Sequence, residues 1–118
     1  MKHSFVEYIP EFLDEGYLYI SIEFSTAVHL CVCGCGNKVV TPISPTDWSL
    51  TFYGDTVSLH PSIGNWSFDC KSHYWIKKNA IVHARKWYDW EVEEGRSKDT
   101  KSKSNFFNFG KKKKKKKR

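Results

Sequence analysis

Three cysteines fall within five residues, in the run His29-Leu30-Cys31-Val32-Cys33-Gly34-Cys35-Gly36, and a fourth, Cys70, follows 35 residues after Cys35. Four thiolates satisfy the tetrahedral preference of zinc. A metal held by all four would pin two distant segments to one point. The competing reading, free buried thiols, gives no reason for three cysteines at alternate positions. A four-thiolate shell leaves no place for water, so such a zinc is structural. Three ligands in five residues crowd one tetrahedral site. His73, three residues after Cys70, is then the natural substitute for a displaced sulfur, and His29 the next.

A chain of 118 residues makes one small domain, whose core would gain from a metal crosslink. The formal charge of +6 comes from the end of the chain, where residues 111–118 hold 8 of the 19 basic residues. Residues 1–110 keep 11 basic against 13 acidic groups, a balance of −2. The folded part is therefore not a basic nucleic-acid module. The tail alone could attract polyanions, without sequence preference. No apolar run reaches the roughly 18 residues of a membrane helix, and the first residues do not read as a signal peptide. The expected compartment is the cytoplasm, whose reducing poise favours metal-bound thiolates over disulfides.

The remaining pattern predicts a mainly β single domain of short antiparallel strands organised around the cysteine site. Aromatic residues make up 16% of the chain, which favours strands. Residues 17–24 alternate with period two, the pattern of a half-buried strand, with Leu18, Ile20, Ile22 and Phe24 on the inner face and Tyr17, Tyr19, Ser21 and Glu23 on the outer. Extended segments are expected at 27–31 and 38–43. Gly54-Asp55 and Lys78-Asn79 mark two hairpins, and Pro61–Gly64 reads as a loop. Residues 86–93 read as a last strand or a short helix. After Gly95 the Lys- and Ser-rich composition predicts disorder, interrupted by the aromatic island Phe106-Phe107-Asn108-Phe109. The expected division is a zinc-binding β domain over 1–94 and a disordered Lys-rich tail over 95–118.

A second unusual stretch is Ser58-Leu59-His60-Pro61-Ser62-Ile63-Gly64-Asn65-Trp66. Ser62 stands between a proline and a Gly-Asn turn, where backbone amides are close at hand. A serine nucleophile beside amide donors is a device of acyl transfer. His73 follows and would be held near the metal through Cys70. The plainer reading makes Ser62 a turn former and His73 a packed, hydrogen-bonded ring. The group that would orient the histidine stays open among Asp69, Asp55, Asp47, Asn65 and His29. Trp48, Trp66 and Trp75 read as core, and His60 and His83 as surface or strand residues.

The series His29-Leu30-Cys31-x-Cys33-Gly34-Cys35-Gly36, Thr41-Pro42, Trp48-x-Leu50, Ser58-Leu59-x-Pro61-Ser62-Ile63-Gly64-Asn65-Trp66 and Cys70-x-Ser72-His73-Tyr74-Trp75-Ile76 resembles a small bacterial family encoded in ubiquitination-like (Bub-type) operons. The resemblance covers residues 15–84. It implies partners in that pathway: a ubiquitin-like protein and its activating and conjugating enzymes. It also implies a serine peptidase that processes or deconjugates the ubiquitin-like protein. On that basis Ser62 is the nucleophile, His73 the general base and His29 a possible third member. Amides of Ile63, Gly64 and Asn65 could then hold the oxyanion. Three other readings compete: a non-catalytic zinc adaptor or ligase-like component, an open-site zinc hydrolase using His73 or His29 as ligand, and a tail-driven nucleic-acid binder.

Overall fold

Eight strands fill the first of two compact units, residues 1–86, and a helix occupies the second, residues 87–118. The structure is a computed structural model that describes the backbone of residues 1–116 and side chains through residue 104. One sheet holds β1 (Lys2–Phe5), β2 (Tyr17–Ser21), β3 (Thr26–Leu30) and β4 (Lys38–Pro42) in that order. The other holds β5 (Ser49–Phe52), β6 (Val57–Gly64), β7 (His73–Lys77) and β8 (Ala80–His83). All neighbours are antiparallel except β1 and β2, which are parallel. That exception, and β1 itself, had no signal in the sequence.

The two sheets share one core. Leu18, Ile20, Ala27, Cys31 and Val39 from the first pack with Val57, Leu59, Ile63, Tyr74 and Ile76 from the second. The expected outward face of β2 is buried as well. Ser21 donates to the Glu7 carbonyl at 2.8 Å, and the Asp14 amide donates to the Tyr19 hydroxyl, because the segment after β1 folds over this strand. The period-two run also stops early. A turn at Ser25 (φ 48°) follows Ser21, and Ile22 and Phe24 project into solvent rather than joining Leu18 and Ile20.

Both expected hairpins are present. Gly54 takes φ 96°, and Lys78 and Asn79 take φ 47° and 65°, the left-handed pair that matches strand twist in a two-residue loop. Asn79 also accepts the Val57 amide on its side-chain oxygen, at 2.8 Å, tying this turn to the start of β6. The expected loop at Pro61–Gly64 is instead the second half of β6. Four residue steps on β6, Leu59 to Ile63, face two on β7, Ile76 to Tyr74. The irregularity hides the strand from a period-two reading, and such bulges re-aim side chains.

In the second unit, α1 (Asp89–Lys116) crosses the stretch whose composition predicts disorder. Its start is capped: the Tyr88 amide donates to Glu91 Oε1 at 3.0 Å. Pairs Glu94–Lys98 and Asp99–Lys103 at i,i+4 line its surface. Through residue 104 it is nearly all polar, so the capped start and these pairs support it rather than an apolar stripe. The side chains of the aromatic island and of the lysine run lie outside the described residues.

Candidate active site and metal centre

On β7, Tyr74 and Ile76 point into the core, so His73, Trp75 and Lys77 share the opposite face. Ser62 reaches that face from β6. Its Oγ lies 2.8 Å from Nε2 of His73. The other ring nitrogen, Nδ1, lies 2.6 Å from the carbonyl oxygen of Arg85. A carbonyl only accepts, so Nδ1 carries the proton. In the neutral ring Nε2 is then a lone-pair acceptor, and the Ser62 hydroxyl donates to it. This is the protonation pattern of a nucleophile paired with a general base. The position beyond the base, left open among carboxylates, Asn65 and His29, is filled by a main-chain oxygen. No sequence signal marks a carbonyl for such a role.

Packing fixes the pair. Trp66 meets the His73 ring at 5.0 Å with an interplanar angle of 63°. It also lies flat against Gly64, where an added Cβ would stand 2.5 Å from the indole ring. Residue 64 must lack a side chain for Trp66 to hold His73 in this way. Ala84 donates its amide to the His73 carbonyl at 2.8 Å, which fixes the strand on which Arg85 follows.

The three expected oxyanion amides are not equivalent. The Asn65 amide is engaged with the Ser72 carbonyl at 2.8 Å. Alternation along an antiparallel ladder gives Ile63, paired with Tyr74, the same orientation. Gly64, between them, turns its amide to the opposite edge of β6. The partner on that edge, β5, ends its pairing at Ser49 with His60. The Gly64 amide therefore points past the end of β5.

His29 lies elsewhere. It is fully buried on β3, with Nε2 2.6 Å from the Tyr74 hydroxyl and no partner at Nδ1. Burial lowers its pKa to about 4, so the ring is neutral at pH 7. Burial likewise raises that of Tyr74. Asn65 Nδ2 donates to the Tyr74 hydroxyl at 3.3 Å and to Ser72 Oγ at 2.9 Å. Ser72 Oγ in turn lies 3.1 Å from Cys31 Sγ and 3.5 Å from Cys70 Sγ. A buried polar chain thus runs from the sulfurs through Ser72, Asn65 and Tyr74 to His29. Tyr74 and Ser72 were legible only as motif letters, although a buried tyrosine hydroxyl calls for a partner.

The four sulfurs lie within 4.8 Å of one another. Neighbours are 3.4 Å apart for Cys31–Cys33, 3.8 Å for Cys31–Cys70 and 3.9 Å for Cys35–Cys70. A tetrahedral ion with bonds of about 2.3 Å has sulfurs roughly 3.8 Å apart. The set fits a single metal ion. Gly34 (φ 87°) and Gly36 (φ 79°) supply the left-handed turns that bring Cys33 and Cys35 back toward Cys31. The thiols differ in acidity. A hydrogen bond with Ser72 draws Cys70 down to about 6, the Asn37 amide lowers Cys35, and bonding to Cys35 pushes Cys33 up to about 12. With all four sulfurs together, neither histidine is needed as a substitute ligand; their rings are turned to Ser62 and Tyr74.

A family model described as "Bacterial ubiquitination-like system serine protease (BubE)" matches residues 5–84. The chain belongs to this family. The match takes in Ser62, His73, His29 and all four cysteines, stops one residue before Arg85, and leaves α1 outside. Searches of curated proteins and of solved structures returned no match. The BubE family is by description one of serine proteases, which agrees with a serine and a histidine paired on an outer strand face.

Proposed function

We propose that the chain is a serine peptidase acting on a ubiquitin-like protein, in C-terminal processing or deconjugation, within a bacterial ubiquitination-like pathway. The observation that carries this reading is the 2.8 Å contact between Ser62 Oγ and His73 Nε2, with Nδ1 committed to Arg85. Ser62 Oγ attacks the scissile carbonyl carbon while its proton passes to His73 Nε2. The Arg85 carbonyl accepts from Nδ1–H and steadies the imidazolium. The Gly64 amide donates to the developing oxyanion. Collapse breaks the bond to the leaving group, which takes the proton from Nε2. Water then repeats the sequence on the acyl-enzyme, releasing a carboxylate and restoring Ser62.

Cys31, Cys33, Cys35 and Cys70 would hold a structural zinc. When bound, it supplies a crosslink between the β3–β4 turn and the segment entering β7. Ser72 and Asn65 extend that crosslink to the strands carrying Ser62 and His73. Partners would be the ubiquitin-like protein and its activating and conjugating enzymes, and the compartment the reducing cytoplasm. Among the described residues no helix is long and apolar enough to cross a membrane.

The test is a fluorophosphonate, which loses fluoride as a serine oxygen bonds its phosphorus. A single adduct by intact mass on the zinc-loaded protein, absent in Ser62→Ala, supports the reading. A folded, zinc-loaded protein that takes no adduct and leaves ubiquitin-like substrates intact would favour a zinc adaptor of the same pathway.

A further inference from the structure

The face of the second sheet that carries Ser62 and His73 continues past them in two rows. The first is Ser49, His60, Trp75 and Val82, and the second Thr51, Ser58, Lys77 and Ala80, as strand register dictates. His60 and Trp75 meet with ring centroids 5.3 Å apart. Beyond them lies a groove of about 520 Å³ that also takes in Tyr53 and Lys78. Lys77 Nζ sits 4.9 Å from the centre of the Trp75 ring, and Lys78 Nζ 5.1 Å from that of Tyr53. Each ammonium is held over an aromatic face, which orders a side chain that would otherwise wander.

The lining contains no carboxylate. Residues 1–86 carry 7 basic and 8 acidic groups, so the unit as a whole is nearly neutral. Five of those acids, Glu7, Glu11, Asp14, Glu15 and Glu23, belong to the segments around β2 on the first sheet. The other three, Asp47, Asp55 and Asp69, lie in the bends and turns between strands and none of them lines the groove, whose only formal charges are the two ammonium groups. Two ammonium groups are too few for a nucleic-acid backbone, which needs a longer stripe of phosphate contacts. They suit one or two carboxylates, with Trp75 and Tyr53 covering the adjoining chain.

We infer that this groove is a specificity subsite that receives an acidic side chain of the substrate peptide, near the bond presented to Ser62. The inference rests on the peptidase reading for its placement. Rows on one sheet face are about 6.7 Å apart, and an extended peptide advances about 3.3 Å per residue. His60 and Trp75 stand one row from His73, and Lys77 two rows. A peptide extended along β7 would bring its carboxylate to the lysines two to four residues from the scissile bond.

The probes are two blocked peptides, acetyl-Gly-Glu-Glu-Gly-amide and its Gln-Gln counterpart, titrated into the isotope-labelled, zinc-loaded full chain. Resonances of the Trp75 indole and of Lys77 and Lys78 should move with the Glu peptide. Binding should be at least about 5-fold weaker for the Gln peptide and should weaken with salt. Lys77→Gln/Lys78→Gln should remove the difference, while its other resonances report an intact fold. Equal response to both peptides, or none at millimolar peptide, overturns the proposal. So does a response to a dT10 oligonucleotide that exceeds that to the Glu peptide. Binding is read without catalysis, so the two readings fail separately. Glu-selective binding on a protein whose Ser62 takes no fluorophosphonate keeps the acidic-peptide site and sinks the peptidase. Labelling of Ser62 without Glu-selective binding does the reverse.

Discussion

The base of the candidate dyad, His73, holds its Nδ1 on the main-chain carbonyl of Arg85, at 2.6 Å. A carbonyl carries less negative charge than a carboxylate, but it fixes the same tautomer. Its effect on the ring comes from where the chain passes, not from which side chain stands at position 85.

Side-chain substitution at Arg85 should therefore matter little. Arg85→Ala is expected to keep fluorophosphonate labelling within about 3-fold of the parent. Ser62→Ala and His73→Gln should each abolish it, because a dyad acts as a unit. Ala84→Pro removes the amide that donates to His73 and should slow labelling at least about 10-fold. Rates from intact-mass time courses check all four; a collapse in Arg85→Ala comparable to that in His73→Gln would show that the guanidinium, and not the carbonyl, does the orienting.

His29 offers a sharper separation of roles. It bonds the Tyr74 hydroxyl, and burial keeps it neutral. His29→Gln preserves a hydrogen-bonding group at that place. Labelling should fall less than about 5-fold, while the unfolding midpoint drops, in line with about 1–3 kcal/mol for a disturbed buried polar group. A loss of labelling as deep as that of His73→Gln, in a protein of unchanged midpoint, would make His29 a member of the catalytic set.

The sequence and the structure agree where local chemistry decides the outcome. Four thiols at those spacings lead to one metal-sized cluster, and the Lys78-Asn79 and Gly54-Asp55 turns lead to hairpins. They part where distant chain decides. Ile22 and Phe24 carry the period-two pattern of a buried face, but the chain turns at Ser25. Tyr19 and Ser21, read as the open face of β2, are covered by the segment around Glu7 and Asp14. Pro61–Gly64 looks like a loop because the irregularity between Leu59 and Ile63 breaks the strand's alternation. At the candidate site, Ser62 and His73 are legible as types. Arg85 contributes a backbone atom, which leaves no trace in residue identity.

Metal removal should act through the fold. The zinc-loaded protein is expected to hold one ion per chain and to shield four thiols from a disulfide reagent. Cys70→Ser or a strong chelator should lower the unfolding midpoint by at least about 10 °C, since 1 kcal/mol is worth roughly 4–8 °C in a domain of this size. Labelling should decline in step with the loss of folded protein, because Ser72 and Asn65 connect the sulfurs to the strands of the dyad. Chelation that halts labelling while the midpoint stays put would instead point to an ion in contact with substrate.

Gly64 ties packing to chemistry most directly. A methyl at this position would meet the Trp66 ring at 2.5 Å, so the indole must shift, and the indole is what rests on His73. Gly64→Ala should cost about 1–3 kcal/mol of stability, the usual range for overpacking. It should also slow labelling more than that loss explains. Trp66→Leu in the same chain removes the clash, so the double variant should be more stable than the sum of the single changes implies. Equilibrium denaturation of the four proteins gives this coupling. Strict additivity would mean that the alanine methyl is accommodated without moving the indole, and the route from Gly64 through Trp66 to His73 would then carry no constraint.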